Sequence, residues 1–124
     1  MKIRSRPRNA VLVFYFECVP DQTLLESAQY AGAEVHCYID RNINNMQDLS
    51  EAEADAREFL AQSGWIVKEQ SGVPHWEKMP SRFRCFFRDT LTAKRVTMEI
   101  ARQDGISLLA YSWTHDDTRN GEQK

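Results

Sequence analysis

The 124-residue chain carries 16 basic and 18 acidic side chains, a net charge of -2, with 42% hydrophobic and 10% aromatic residues. That length is enough for one domain with its own core and no metal or disulfide staples. With only five Gly and four Pro, the composition excludes a fibrous or disordered chain, and its longest apolar run, Ala10 to Phe16, is far too short to span a bilayer as a helix.

The basic start (Lys2, Arg4, Arg6, Arg8) before that run imitates a signal peptide, but the apolar stretch is minimal and no small-residue cleavage site follows. Cys18, Cys37 and Cys85 are odd in number and widely spaced, which fits neither a disulfide framework nor a CxxC motif. A reducing, cytoplasmic setting is the expectation. Charge is segregated: Asn9 to Ala61 holds ten acids against Arg41 and Arg57, whereas Gln62 to Trp113 holds eight bases against five acids. Such polarity steers encounter with a partner of complementary field, a second copy included, or simply marks solvated faces.

Residues 1–9 read as a basic flexible arm, 10–113 as a single α+β domain and 114–124 as a polar flexible tail. Val11 to Glu17 is apolar at both parities, as a strand covered on both faces must be. Pro20 and Asp21 stop it, and Thr23, Glu26 and Gly32 frame a short helix. Ala33 to Asp40 alternates Val35, Cys37 and Ile39 with Glu34, His36, Tyr38 and Asp40, predicting a half-exposed strand. Ser50 with Glu53 predicts the start of a helix ending near Ser63, with Ala52, Ala56, Phe59 and Leu60 inward.

Trp65 to Glu69 reads as a strand and Gly72 to Met79, containing His75 and Trp76, as a loop. In Arg82 to Arg88, Phe83 and Phe87 have helical spacing, yet basic and apolar residues alternate, and the alternation predicts a strand. A helix from Asp89 or Thr90 to Gln103 follows, its inward stripe Ala93, Val96, Thr97 and Ile100, closed by Gly105. Ile106 to Trp113 is the last strand. Without the first strand and short helix, the order is the split β-α-β-β-α-β of a ferredoxin-like two-layer sandwich.

The chain has no phosphate loop, GxSxG or HExxH, and no cofactor or metal is implied. His36 and Cys37 point to opposite faces of a strand and cannot share an ion. The Thr114–Asp117 cluster is a weak cation candidate in a polar tail. Parity places His36, Tyr38 and Asp40 on the open sheet face, about 7 Å apart, a spacing that suits acid–base work and equally suits an ordinary polar face. The same face is expected to hold Arg82, Arg84 and Phe86 from the neighbouring strand, with Tyr111 and Trp113 from the last.

Aromatic and arginine enrichment of that kind marks interface centres, so the expected function is non-enzymatic protein association through Tyr38, Arg82, Arg84, Phe86, Tyr111 and Trp113, with self-association as a homodimer. His36, Asp40, His75 and Trp76 are secondary candidates. The alternative is a single-stranded RNA platform, since cations and flat rings suit phosphates and bases; a pI of 5.9 and the lack of an aromatic-glycine pattern oppose it. A small enzyme using His36 and Asp40 is the third reading.

Overall fold

The structure, a computed structural model, describes the backbone of residues 5–21 and 30–114 and the side chains of residues 5–21 and 32–111. The elements are β1 (Ala10–Pro20), β2 (Tyr30–Ile39), α1 (Met46–Gln62), β3 (Trp65–Gln70), β4 (His75–Lys78), α2 (Arg82–Phe87), α3 (Asp89–Asp104) and β5 (Ile106–Thr114). Tyr30 and Ala31, expected to finish the short helix, lie in β2; the rest of that helix falls outside the described residues, as does the tail beyond Thr114. No helix among the described residues is long and apolar enough to cross a membrane.

The fold is mixed α+β, built on one five-stranded antiparallel sheet of order β3-β1-β2-β5, with β4 also paired to β1. β2 takes one side of β1 from Leu12 to Cys18. β3 pairs with Phe16 to Pro20 and β4 with Ala10 to Val13, so β3 and β4 lie end to end along the other side. Between them the Ser71 N–H donates to the Tyr15 carbonyl at 2.9 Å. Gly72 passes so close that a Cβ there would sit 3.3 Å from the Tyr15 ring.

The expectation that both faces of the first strand are covered is met, because β1 is central. Leu12, Phe14, Phe16 and Cys18 join Val35, Cys37 and Ile39 in a core closed by Ala52, Ala56 and Leu60 of α1. Val11 and Val13 join Tyr38 in a second core closed by Met98 and Ala101 of α3. The two helices therefore cover opposite faces. A ferredoxin-like sandwich needs both on one face, and the insertion of β1 between β2 and the β3/β4 edge, with its two apolar parities, explains the difference.

Local chemistry explains the other departures. α1 starts five residues earlier than Ser50 suggests, because Asn45 accepts the Asp48 N–H at 2.8 Å while Asp48 accepts from Asn44 N–H at 2.9 Å. His75 and Trp76 belong to β4 rather than a loop: Val13 pairs with His75 and Leu12 with Trp76. Residues 82–87 form α2, not a strand, with Ser81 as N-cap accepting the Arg84 N–H at 3.2 Å. The chain turns directly from α2 into α3 at Arg88, the residue that caps both helices.

α3 begins at Asp89 and is closed by Gly105, whose φ of 95° lets its N–H reach the Ala101 carbonyl at 2.7 Å. Its buried face is Thr97, Met98 and Ala101, while Val96 and Ile100, expected inside, are exposed. The buried Ser107 hydroxyl donates to the Thr97 carbonyl at 2.5 Å and sets that rotation against β5.

Substitutions separate core from helix surface. Phe14→Ala should cost about 3–5 kcal/mol of unfolding free energy, and Val96→Ala on the exposed side of α3 should stay within about 0.5 kcal/mol, read by urea denaturation of each purified variant. A large loss at Val96 would mean that this side of α3 packs inside the domain.

Candidate functional site

Along each strand of the α3-covered face, side chains pass from apolar to polar. β1 runs Val11, Val13, Tyr15, Glu17; β2 runs in reverse, Tyr38, His36, Glu34; and Leu109 and Tyr111 of β5 stand opposite His36 and Glu34. α3 covers only the Val11–Val13–Tyr38 end. Beyond it His36 lies between two tyrosines, edge-on to Tyr15 at 4.5 Å and tilted against Tyr111 at 4.7 Å between ring centroids. Past these rings, Glu34 is directly opposite Glu17, and Glu17 directly opposite Glu69. Three carboxylates and Tyr111 thus form one row across four strands.

A hydrogen-bonded group ties this end to α3. Tyr15 Oη and Glu77 Oε1 each lie 3.2 Å from His75 Nε2, and Lys94 Nζ donates to Glu77 Oε2 at 2.7 Å. Burial pushes the Tyr15 phenol up to about 12, with Glu77 and Glu34 acting the same way. Burial also lowers His36 below its ordinary value, against the opposing pull of Glu34, whose Oε2 is 3.6 Å from His36 Nε2. Burial acts to raise Glu77, but the hydrogen bond and charge of Lys94, with His75, outweigh it and hold this carboxyl low.

This arrangement is poorly suited to nucleophilic chemistry. In an acid–base relay the carboxylate holds one imidazole nitrogen and the reacting hydroxyl the other; here both meet Nε2, and Nδ1 is 3.4 Å from the Val73 carbonyl oxygen. A phenol pushed up to about 12 is held as the neutral form at neutral pH. Among the described residues no group of three His, Cys, Asp or Glu side chains has a metal-holding arrangement. A groove of about 370 Å³ between α1 and the start of β5 is lined by Asp40, Arg41, Asp55 and Asp104 with Phe59 and Ile106; Arg41 and Asp55 pair across it at 2.6 Å.

The expected single patch is divided. Tyr38 shares the His36 face but is 1% exposed beneath α3, and burial raises its phenol well above the ordinary value. Asp40 lies beyond the end of β2, ion-paired to Arg6 of the predicted arm, whose guanidinium also lies 5.5 Å over Trp76. Trp76 itself packs on the α1 side of the sheet, opposite to His75. Tyr111 stays on the open face, 39% exposed. Trp113 is in register with Gly32, and its side chain falls outside the described residues.

Arg82, Arg84 and Phe86 have left the sheet altogether for α2, a helix with no buried residue that packs against α3. There Phe83 is 74%, Phe86 83% and Phe87 67% exposed. Their rings touch one another, Phe83 to Phe87 at 5.3 Å and Phe86 to Phe87 at 5.2 Å. Sequence reasoning missed Tyr15, Glu17, Glu69 and Glu77 on the sheet face and Lys94, which reaches Glu77 from α3. The parity of β1 carried the signal for Tyr15 and Glu17; the register of a bulged β3 and a four-residue β4 was not readable.

Two acid steps in stability follow from these groups. His36 has a folded pKa below 6.5, so the unfolded chain takes up its proton first; its contribution is complete above pH 6.5 and falls as pH drops below it. Glu77 has a folded pKa below 4.5, so its contribution is present above pH 4.5 and is lost as pH falls through the folded value. Thermal midpoints measured from pH 8 to 3 should show the first decline flattened by His36→Gln and the second reduced by Lys94→Met; a His36→Gln profile parallel to the parent between about pH 6.5 and 5 would contradict the first assignment. In comparison with known proteins, no family model, curated protein or solved structure matches this chain.

Proposed function

We propose that this protein is a small non-enzymatic association module that pairs with a second copy of itself, using α2 as its recognition element. The observation that carries the reading is the exposure of Phe83, Phe86 and Phe87 on a helix that also bears Arg82 and Arg84 and is followed by Arg88. Phenylalanine and arginine concentrated on one exposed element are the residues of interface centres. Three phenylalanines offer about 150–250 Å² each, a large share of the ~800 Å² per partner that a standard interface buries.

The RNA reading loses support on the sheet face. Glu17, Glu34 and Glu69 form a row there, and a row of carboxylates repels phosphates. A His36–Asp40 enzyme loses support because Asp40 is taken by Arg6 away from the His36 end. Cys18, Cys37 and Cys85 are free thiols, in keeping with a cytoplasmic, reducing setting for the module.

Light scattering coupled to size exclusion tests the reading with the full chain. The parent protein should run as a dimer, and Phe83→Ser/Phe86→Ser/Phe87→Ser should run as a folded monomer. A parent that stays monomeric across the concentration range, or a triple variant that stays dimeric, overturns it. Tight, steeply salt-dependent binding of a single-stranded oligonucleotide that Arg84→Ala abolishes would favour RNA instead.

A further inference from the structure

We propose that the acidic, aromatic end of the sheet is the seat for α2 of the second copy, so that two chains close reciprocally, each laying its α2 on the Glu69–Glu17–Glu34–Tyr111 row of the other. This rests on the self-association proposed above and names its counter-surface.

The argument is one of unmatched charge. Among the described residues, Arg6 pairs with Asp40, Arg41 with Asp55, Arg57 with Glu53, Lys94 with Glu77 and Arg95 with Glu99, while Arg8, Lys68, Lys78 and Arg102 are isolated single cations without an ion pair. Arg82, Arg84 and Arg88 have no ion pair among the described residues, and neither do Glu17 and Glu69. Like charges directly opposite on neighbouring strands repel, and three carboxylates in register make a negative strip in which only Glu34 has side-chain partners among the described residues, His36 and Ser71. Tyr111 beside it, 39% exposed, offers a ring on which guanidinium and phenylalanine both pack, with His36 and Tyr15 packed behind it.

The chain's other segments are poor occupants of this strip. Arg6 is fixed at Asp40, six strand positions or about 20 Å from Glu34. By sequence, residues 22–29 carry one charge, Glu26, and residues 115–124 carry three acids against Arg119 and Lys124. Neither brings net positive charge. The acids of α1 are a weaker seat for α2: Asp55 and Glu53 are ion-paired within the chain, and Asp48, Glu51 and Glu58 accept from the Asn44 N–H and from the Gln47 and Gln62 amides. A second copy supplies three arginines and three phenylalanines at once, and exchange of the same contact in both directions gives a closed twofold dimer.

Charge reversal tests the seat. Arg82→Glu/Arg84→Glu/Arg88→Glu and Glu17→Arg/Glu34→Arg/Glu69→Arg should each raise the dimer dissociation constant at least tenfold by sedimentation. An equimolar mixture of the two should recover a heterodimer of near-parental affinity, because both of its contacts again join opposite charges. Should either reversal disturb folding by circular dichroism, the milder Glu17→Gln/Glu69→Gln variant must still weaken the dimer and reduce its salt dependence. A dimer lost in the triple phenylalanine variant but indifferent to every glutamate change overturns the seat while leaving α2-mediated association standing. A parent chain that never dimerises overturns both.

Discussion

Everything in this fold depends on β1 being apolar at both parities. A strand with Leu12, Phe14, Phe16 and Cys18 on one side and Val11 and Val13 on the other cannot face water on either, so it takes the interior of the sheet and calls for a cover on each face. α1 supplies one with the small stripe Ala52 and Ala56, which brings helix and sheet close, and Leu60 to fill the space between. α3 supplies the other, but only through its C-terminal half, at Thr97, Met98 and Ala101. The domain therefore holds two cores separated by the sheet, one extensive and one short.

The shortness of the second core gives the molecule its exposed chemistry. On the α3 side, side chains change from Val13 to Tyr15 to Glu17 along β1 and from Tyr38 to His36 to Glu34 along β2. Each strand thus crosses from buried to wet within four residues, and the groups at the crossing are amphipathic, with an apolar ring and a polar tip. The raised Tyr15 phenol and the lowered His36 imidazole share a cause, the loss of water around each. Lys94 reaches Glu77 from α3 and marks where the cover ends.

Much of the architecture was legible in the sequence because it rests on period and punctuation. The parities of Ala33 to Asp40, the alanine stripe of α1, the strand after Gly64 and the closure of α3 at Gly105 all have local causes. The position of β1 in the sheet was not legible, since element order alone fits a ferredoxin-like chain as well as one whose first strand inserts between later ones. Residues 82–87 satisfied both a period of two and the helical spacing of Phe83 and Phe87. The Ser81 cap decides between them, and it is recognisable only once the chain is known to turn into α3 there. The face of α3 was misjudged because Val96 and Ile100 are more apolar than Thr97, whereas the Ser107 hydroxyl bond to the Thr97 carbonyl selects the less apolar side. Of the candidate site, His36 and Tyr111 were placed on the correct face; the arginines were assigned to it only through the mistaken strand.

Separating the arginines from the sheet makes the surface more informative than the single mixed patch it replaces. Basic and acidic groups side by side on one face would neutralise each other within the chain. Held apart, Arg82 and Arg84 on α2, Arg88 at its end, and Glu17 and Glu69 on the sheet have no ion pair among the described residues. α2 is not free to fold back, because the Thr92 hydroxyl donates to the Cys85 carbonyl at 3.1 Å and the Cys85 thiol to the Leu91 carbonyl at 3.3 Å, which fastens it to the first turns of α3. A helix held in that position, with three phenylalanines in water, favours a surface outside its own chain by the hydrophobic effect. In the proposed dimer, charge selects among such surfaces, and the acidic row beside Tyr111 is a surface of the opposite sign that the molecule itself carries.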